Sequence, residues 1–290
     1  MTGLEFVDAH VHFWDLDHPD LHYSWLMPDG EDVHLGDRLE ELKGSRYVVD
    51  DYIAETRAAN VVKAIHLNAA IGSGDTVDET RWLQEAADRT GFPHAIVAGS
   101  NLKDPEVGRE LERHCRFANM RGIRDFSDGD DLVHPDFHRG YGLLARLNLV
   151  ASLSVSWPDM IRTRDLALKF PETPLVLDHC GEPMARDDAY FVDWRKGMTA
   201  IAEAKNVVCK ISGLGMRDHD WTVVSIRRWV LTCIDIFGPA RCIFGTNWPV
   251  DRLFSTYDAL IDAYTGLVAD FSETEQRAMF ARNAEALYRI

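Results

Sequence analysis

The sequence predicts a single (β/α)8 barrel. Three observations carry that expectation. The chain has 290 residues, a length that suits one large α/β barrel or two ordinary domains. Short apolar runs alternate with longer amphipathic segments through the whole chain, eight times over. No linker, low-complexity segment or short repeat divides it, so residues 1–290 read as one domain. A doubly wound sheet is the other arrangement this alternation permits.

The apolar runs fall at 4–7, 61–67, 94–99, 121–124, 149–155, 174–177, 206–211 and 241–244. Helical patterns lie between them at 51–60, 77–90, 105–118, 135–147, 158–170, 189–204, 221–237 and 256–268. Residues 272–288 read as one further helix. Asp104 before Pro105 is a helix-start signal, and Ser272 followed by Glu275 forms a capping box. Residues 13–49, after the first run, show no clear period and are rich in Trp, Asp, His and Pro. A structured loop of that length in a compact domain is usually functional or a lid.

Charge narrows the partners. Lys and Arg number 31 and Asp and Glu 47, so the formal charge is −16. So acidic a chain is a poor partner for nucleic acid or an anionic membrane. A small-molecule substrate, even an anionic one, remains open, because a few arginines can reverse the field inside a pocket; a homo-oligomer is also compatible. The five cysteines (Cys115, Cys180, Cys209, Cys233, Cys242) are widely spaced and form no C-x-x-C pair. Reduced thiols and a cytoplasmic location are the expectation. The first residues lack the basic and apolar regions of a signal peptide, and no stretch approaches the roughly 18 apolar residues of a membrane span.

In a (β/α)8 barrel, chemistry sits where strands end and the following loops begin. The first run leads into Asp8-Ala9-His10-Val11-His12, and alternation in an extended segment puts His10 and His12 on one face. The sixth leads into Asp178-His179-Cys180-Gly181-Glu182-Pro183, which brings His179 towards that pair. The eighth ends in Phe244-Gly245-Thr246-Asn247-Trp248-Pro249-Val250-Asp251, where Gly245 permits close backbone approach.

The segments D-A-H-V-H-F-W-D, M-R-G-I-R, L-D-H-C-G-E-P, K-I-S-G-L-G-M and F-G-T-N-W-P-V-D resemble the successive strand-end signatures of the amidohydrolase superfamily. More narrowly they resemble its lactonase-rich branch, which includes fuconolactonase and 2-pyrone-4,6-dicarboxylate lactonase. The resemblance spans nearly the whole chain in motif order. It implies a TIM barrel, hydrolysis of a lactone or similar ester, and a catabolic role. His10 and His12 match the pair on the first strand, and His179 matches the histidine on the sixth. Asn247 stands where most of the superfamily has an aspartate that serves as general base. An amide cannot accept a proton at neutral pH, so Asn247 can only orient water or substrate.

That departure leaves two readings of the cofactor open. The fourth strand carries Arg124 in place of a carboxylatable lysine, and Ser154-Val155-Ser156 stand where the fifth would carry a histidine, which argues against two metals. His10, His12 and His179 could hold a single divalent ion such as Zn2+ with an open fourth position. Alternatively the trio polarises the carbonyl with no essential cofactor, the expectation the missing aspartate favours. Asp251, in the loop after the eighth strand, is the candidate base; a helix cap is its structural alternative. Asp8 and Asp178, beside histidines in sequence, are expected to be buried supports. Arg124 and Arg217 are candidates for holding a substrate carboxylate, and Trp14, Trp25 and Trp248 for packing on a ring. A lactone isomerase or decarboxylase, or a non-catalytic binding barrel, are the competing functions.

Overall fold

The computed structural model describes residues 3–290. Eight parallel strands run in sequential order round one barrel: β1 (Phe6–Val11), β2 (Val61–Leu67), β3 (Ala95–Gly99), β4 (Met120–Asp125), β5 (Val150–Leu153), β6 (Leu175–Leu177), β7 (Val207–Ile211) and β8 (Cys242–Phe244). The outer ring is α1 (Val49–Glu55), α2 (Val77–Thr90), α3 (Val107–His114), α4 (Pro135–Arg146), α5 (Met160–Lys169), α6 (Asp188–Ile201), α7 (Val223–Phe237) and α8 (Tyr257–Leu267). Two further helices, α9 (Glu273–Arg277) and α10 (Asn283–Tyr288), follow. Among the described residues no helix is long and apolar enough to cross a membrane.

The eight alternations expected from the sequence are present, and the differences lie at ends. The first strand runs to Val11, so His10 lies within it, where the apolar run alone stops at residue 7. The third helix begins at Val107; the Asp104 carboxylate accepts the Glu106 N–H at 2.7 Å and shapes the turn before it. The segment 272–288 is not one helix. It starts in the expected Ser272–Glu275 capping box, but a π turn at Ala278–Arg282 interrupts it. The wider turn lets the consecutive residues Met279, Phe280 and Ala281 all face the protein, where a regular α-helix would turn one outwards. Ala281, Ala284 and Tyr288 then close the barrel beneath Val7, Ala9, Ile65, Val97, Val150 and Ile243.

Closure of the barrel is polar. The Asn247 N–H donates to the His10 carbonyl at 2.8 Å, and the His12 N–H to the Trp248 carbonyl at 2.8 Å. The Asp8 carboxylate ties β1 to the segment after β8, accepting the Thr246 N–H at 2.8 Å and the Thr246 hydroxyl at 2.6 Å. The hydroxyls of Tyr52 and Tyr257, from α1 and α8, each donate to it at 3.0 Å. Asp8 thus points outwards to the helices. The ladder between β1 and β2 slips between Asp8 and Val11, and the slip turns His10 to the inside beside Asp178.

Gly245 is needed at this seam. A Cβ there would lie 2.7 Å from the His10 Cβ and 2.8 Å from its backbone nitrogen. Gly245→Ala is therefore expected to lower stability by about 1–3 kcal/mol, the range for overpacking a rigid site, measured by denaturant unfolding. Unchanged stability would show that the seam has slack.

Candidate active site

The top of the barrel is filled by charge in place of hydrocarbon. Asp178, wholly buried, accepts the Ser152 hydroxyl at 2.8 Å and lies 2.8 Å from the Lys210 ammonium, itself wholly buried. The Arg124 Nε is 3.9 Å away and the His10 Nδ1 3.9 Å. Burial alone would raise the Asp178 carboxyl pKa; Lys210, Arg124 and His179 outweigh it and hold the group below its ordinary value. Burial pushes the Lys210 pKa down, against the pull of Asp178. Asp178 is buried, as expected of a support, and its carboxylate faces inwards beside His10.

The histidines converge on this base. The Nε2 atoms of His10 and His12 lie 3.0 Å apart. The His12 Nδ1 donates to the Leu67 carbonyl at 2.9 Å, a contact that fixes its tautomer and leaves Nε2 as an acceptor. The rings of His10 and His179 are 4.4 Å apart, and the His179 Nδ1 pairs with the Ser212 hydroxyl at 2.9 Å. Burial, then neighbouring cations and imidazoles, drive the pKa of His10 and His12 well below 6.5. Burial takes His179 down to about 3 despite Asp178. All three are neutral imidazoles at physiological pH.

His179 reaches its place through an unusual backbone. His179, Cys180, Gly181 and Glu182 all have positive φ, at 51°, 57°, 66° and 42°. Only the glycine adopts that region freely, and each of the others costs about 1–2 kcal/mol. The turn aims both His179 and Glu182 at the cleft. Opposite, Gly213 (φ 62°) leaves the His179 ring its space, since a Cβ there would overlap Nδ1.

A cleft of about 400 Å³ opens above, lined by His12, His179, Asn247, Arg124, Ser154 and Glu182, with a wall from the long β1 loop. That wall includes Trp25 and His34. The Trp25 indole donates to the Ala69 carbonyl at 2.9 Å. Arg124 is buried, its ring neighbour Phe126 lying 4.6 Å away, and its two terminal nitrogens reach only the Asn68 carbonyl and the Ser154 hydroxyl, both at 3.4 Å. Most of its donor capacity is unspent.

Not every residue singled out in the sequence lines this cleft. His10 lies wholly buried beneath it. Asp251 is buried behind Asn247, against the segment of Gly213 and Gly215, and burial raises its carboxyl pKa well above 3.8. It caps no helix. Trp14 and Trp248 are buried in the packing, their indoles donating to the Ser45 carbonyl and to Glu55. Arg217 is committed to the β1 loop, donating to the His34 Nδ1 at 3.0 Å and the Val33 carbonyl at 2.9 Å, so it fastens the wall of the cleft. The sequence did not single out Glu182, Asn68, His34 or Met216, all of which line the cleft. The first signal for Glu182 stands in the motif already quoted, L-D-H-C-G-E-P, three residues beyond His179.

The chain belongs to the amidohydrolase family, whose pattern matches residues 7–290. It is 37% identical to the uncharacterized protein y4mH of Sinorhizobium fredii, over the whole of both chains. It is 26% identical to the L-fucono-1,5-lactonase of Burkholderia ambifaria, covering 98% of this chain and 95% of the relative. An amidohydrolase from Burkholderia multivorans, whose crystal structure contains zinc, superposes with a TM-score of 0.85 at 26% identity, covering 99% of each chain.

Zinc in that relative raises the question of whether these residues fit a divalent ion. Two neutral Nε2 atoms converge, and the His12 tautomer suits a metal. However, among the described residues no three His, Cys, Asp or Glu side chains gather round one point, and Asn247 supplies no charge. The arrangement does not fit a complete site, and no step below runs through one.

The wall of the cleft rests on a second buried carboxylate. Glu79 of α2 accepts the N–H groups of Ala69 and Ala70 at 2.8 Å, the Asn68 amide at 2.5 Å and the His66 Nε2 at 3.3 Å. Burial pushes its pKa up, but His66 and these donors outweigh burial and hold it below 4.5. The stability it contributes is therefore present above pH 4.5 and is lost as pH falls through the lower folded value. Glu79→Gln should lose about 1–3 kcal/mol at neutral pH, the effect of stranding buried donors. It should also flatten the acid-side decline in urea-unfolding stability; an undiminished decline would assign that slope to other carboxylates.

Proposed function

We propose that this chain opens a lactone, or a similar ester, by water attack on a carbonyl held over the histidines. The observation that carries the reading is the convergence of neutral imidazoles with a partly unspent guanidinium on one cleft floor. The 26% identity to L-fucono-1,5-lactonases over nearly the whole chain supports the substrate class.

Each group has a role fixed by its partners. The Asn247 amide lines the cleft with Asp251 behind it, and Arg124 has donors to spare. Both can donate to the oxygen that becomes negative when water adds to the carbonyl. The His12 Nε2 accepts from the His10 Nε2 at 3.0 Å, and this pair forms the floor beneath the substrate carbonyl. A base must then take a proton from that water. Asp251, the candidate from the sequence, reaches the cleft only past Asn247, so we assign the base to Glu182, which lines it and whose carboxyl pKa is raised by burial. Water's oxygen bonds to the carbonyl carbon, its proton passes to Glu182, and the ring C–O bond breaks as that proton goes on to the leaving oxygen. Asp251 positions Asn247 from behind.

The direct test is a panel of sugar-acid and dicarboxylate lactones, with acid release followed by pH indicator. Stoichiometric acid from a member of the panel supports the reading; release of CO2 or an isomerised lactone without acid contradicts it. His10→Ala, His12→Ala and His179→Ala should each lower kcat/KM by at least about 10²-fold while the protein stays folded. Near-normal turnover in two of the three would remove the trio from the mechanism.

Glu182→Gln separates the two candidate bases. It should reduce kcat by roughly 10²–10⁴-fold and abolish the acidic limb of the pH profile, whereas Asp251→Asn should retain that limb. The opposite pattern would return the base to Asp251.

A further inference from the structure

A second cleft, of about 360 Å³, adjoins the first across the ends of β2, β3 and β4. The two share one wall: Asn68, Ile71, Arg124 and Phe126 line both. Nothing in the hydrolysis described above uses this second space. We propose that it is a subsite for a neutral, hydroxyl-bearing arm of the substrate, such as a second sugar unit, with Arg124 as the group gripped from both sides and Phe126 as the partition.

Four features of the wall argue for such an occupant. First, the buried donors there are unspent. The terminal nitrogens of Arg124 make only two contacts, each at 3.4 Å, and the hydroxyl of Ser100, a residue 9% exposed, has no hydrogen-bond partner. Buried polar groups left this way are destabilising unless a ligand or its hydroxyls complete them. Second, the charges cancel. The charged residues of this cleft are Lys103 and Arg124 against Asp125 and Asp131. Lys103 pairs with Asp131 at 2.5 Å, and the Asp125 carboxylate is occupied by the N–H groups of Leu102 and Ser127, each at 2.7 Å. A neutral arm suits a balanced field better than a further carboxylate does.

Third, an apolar edge stands beside the polar groups. Ile71 is 37% exposed and Phe126 49% exposed, and both rim the two clefts. A flat apolar face next to scattered hydroxyl and amide groups is the combination that holds a sugar ring. Fourth, Arg124 joins the spaces. Its guanidinium, 4.6 Å from the Phe126 ring, can donate at once to the carbonyl end of a ligand over the histidines and to a hydroxyl on the far side. The substrate is then an acid lactone with a further sugar unit, longer than a single hydroxylated ring. The proposal rests on the lactone reading only for which end of the ligand lies over the histidines.

The test is calorimetric binding of two product-like acids: gluconate, a single hydroxylated chain, and cellobionate, the same acid carrying a neutral glucosyl unit. Cellobionate should bind about tenfold more tightly than gluconate. Ser127 stands at the rim of the second cleft, and its hydroxyl makes no hydrogen bond among the described residues. Ser127→Trp should fill the space and bring cellobionate down to the affinity of gluconate. Lys103→Ala, at the surface, should narrow the gap in the same direction and serves if the tryptophan variant does not fold. Equal affinities in the unaltered protein, no binding of either acid up to its solubility limit, or a gap that survives both substitutions would overturn the subsite. Binding of product acids needs no turnover. A chain that hydrolyses no lactone can still show the gap, and a competent lactonase without the gap sinks the subsite alone.

Discussion

The Asp8 carboxylate is the constraint on which the rest of the molecule depends. A parallel barrel must close by joining its first strand to its last, and here a wholly buried carboxylate makes that joint by accepting from Thr246, Tyr52 and Tyr257. Burial raises its pKa, and the donors from Thr246 and the two tyrosines work against that rise. Because the clamp fixes β1 beside the segment after β8, the backbone bonds from Asn247 to His10 and from His12 to Trp248 follow. His12 and Asn247 are thereby set on the cleft, with His10 beneath them, before any ligand arrives.

A second constraint is electrostatic. Asp178 lies among Lys210, Arg124, His10 and Ser152, with no water-exposed surface of its own. Burial keeps the imidazoles neutral, and the nearby cations Arg124 and Lys210 act in the same direction. Neutrality is what lets the His12 Nε2 accept from His10. The left-handed turn from His179 to Glu182 stores strain at the same place, and it is held by the Trp194 indole, which donates to the Cys180 carbonyl at 2.8 Å.

Much of this was legible in the sequence, for identifiable reasons. Strands and helices followed from period, and the helix at Val77–Thr90 agrees with its expected bounds because Gly91, at φ 85°, stops it unambiguously. His10, His12, His179 and Asn247 were found because a barrel places its strand ends together, and they meet. What periodicity could not show was direction. The slip in β1 re-aims His10, and alternation alone could not give it. Trp14, Trp248 and Arg217 sit in loops at the catalytic end, yet their polar atoms are spent on Ser45, Glu55 and the β1 loop. Loop conformation decides which face such a residue shows, and residues 13–49 carry no period from which to derive it. Glu182 was overlooked for the same reason: its aim comes from a positive φ that a glutamate seldom adopts.

The central claim is that burial, aided by neighbouring cations, holds three neutral imidazoles at the mouth of the barrel. Nitrogen-15 NMR of the histidine rings, followed against pH, reads this directly, because protonation state and tautomer each have their own shifts. The account predicts that His10, His12 and His179 all stay neutral as the pH falls through the ordinary histidine value of 6.5, with His12 protonated at Nδ1 alone. Titration of any of the three near the ordinary value of 6.5, or a His12 proton on Nε2, would contradict it.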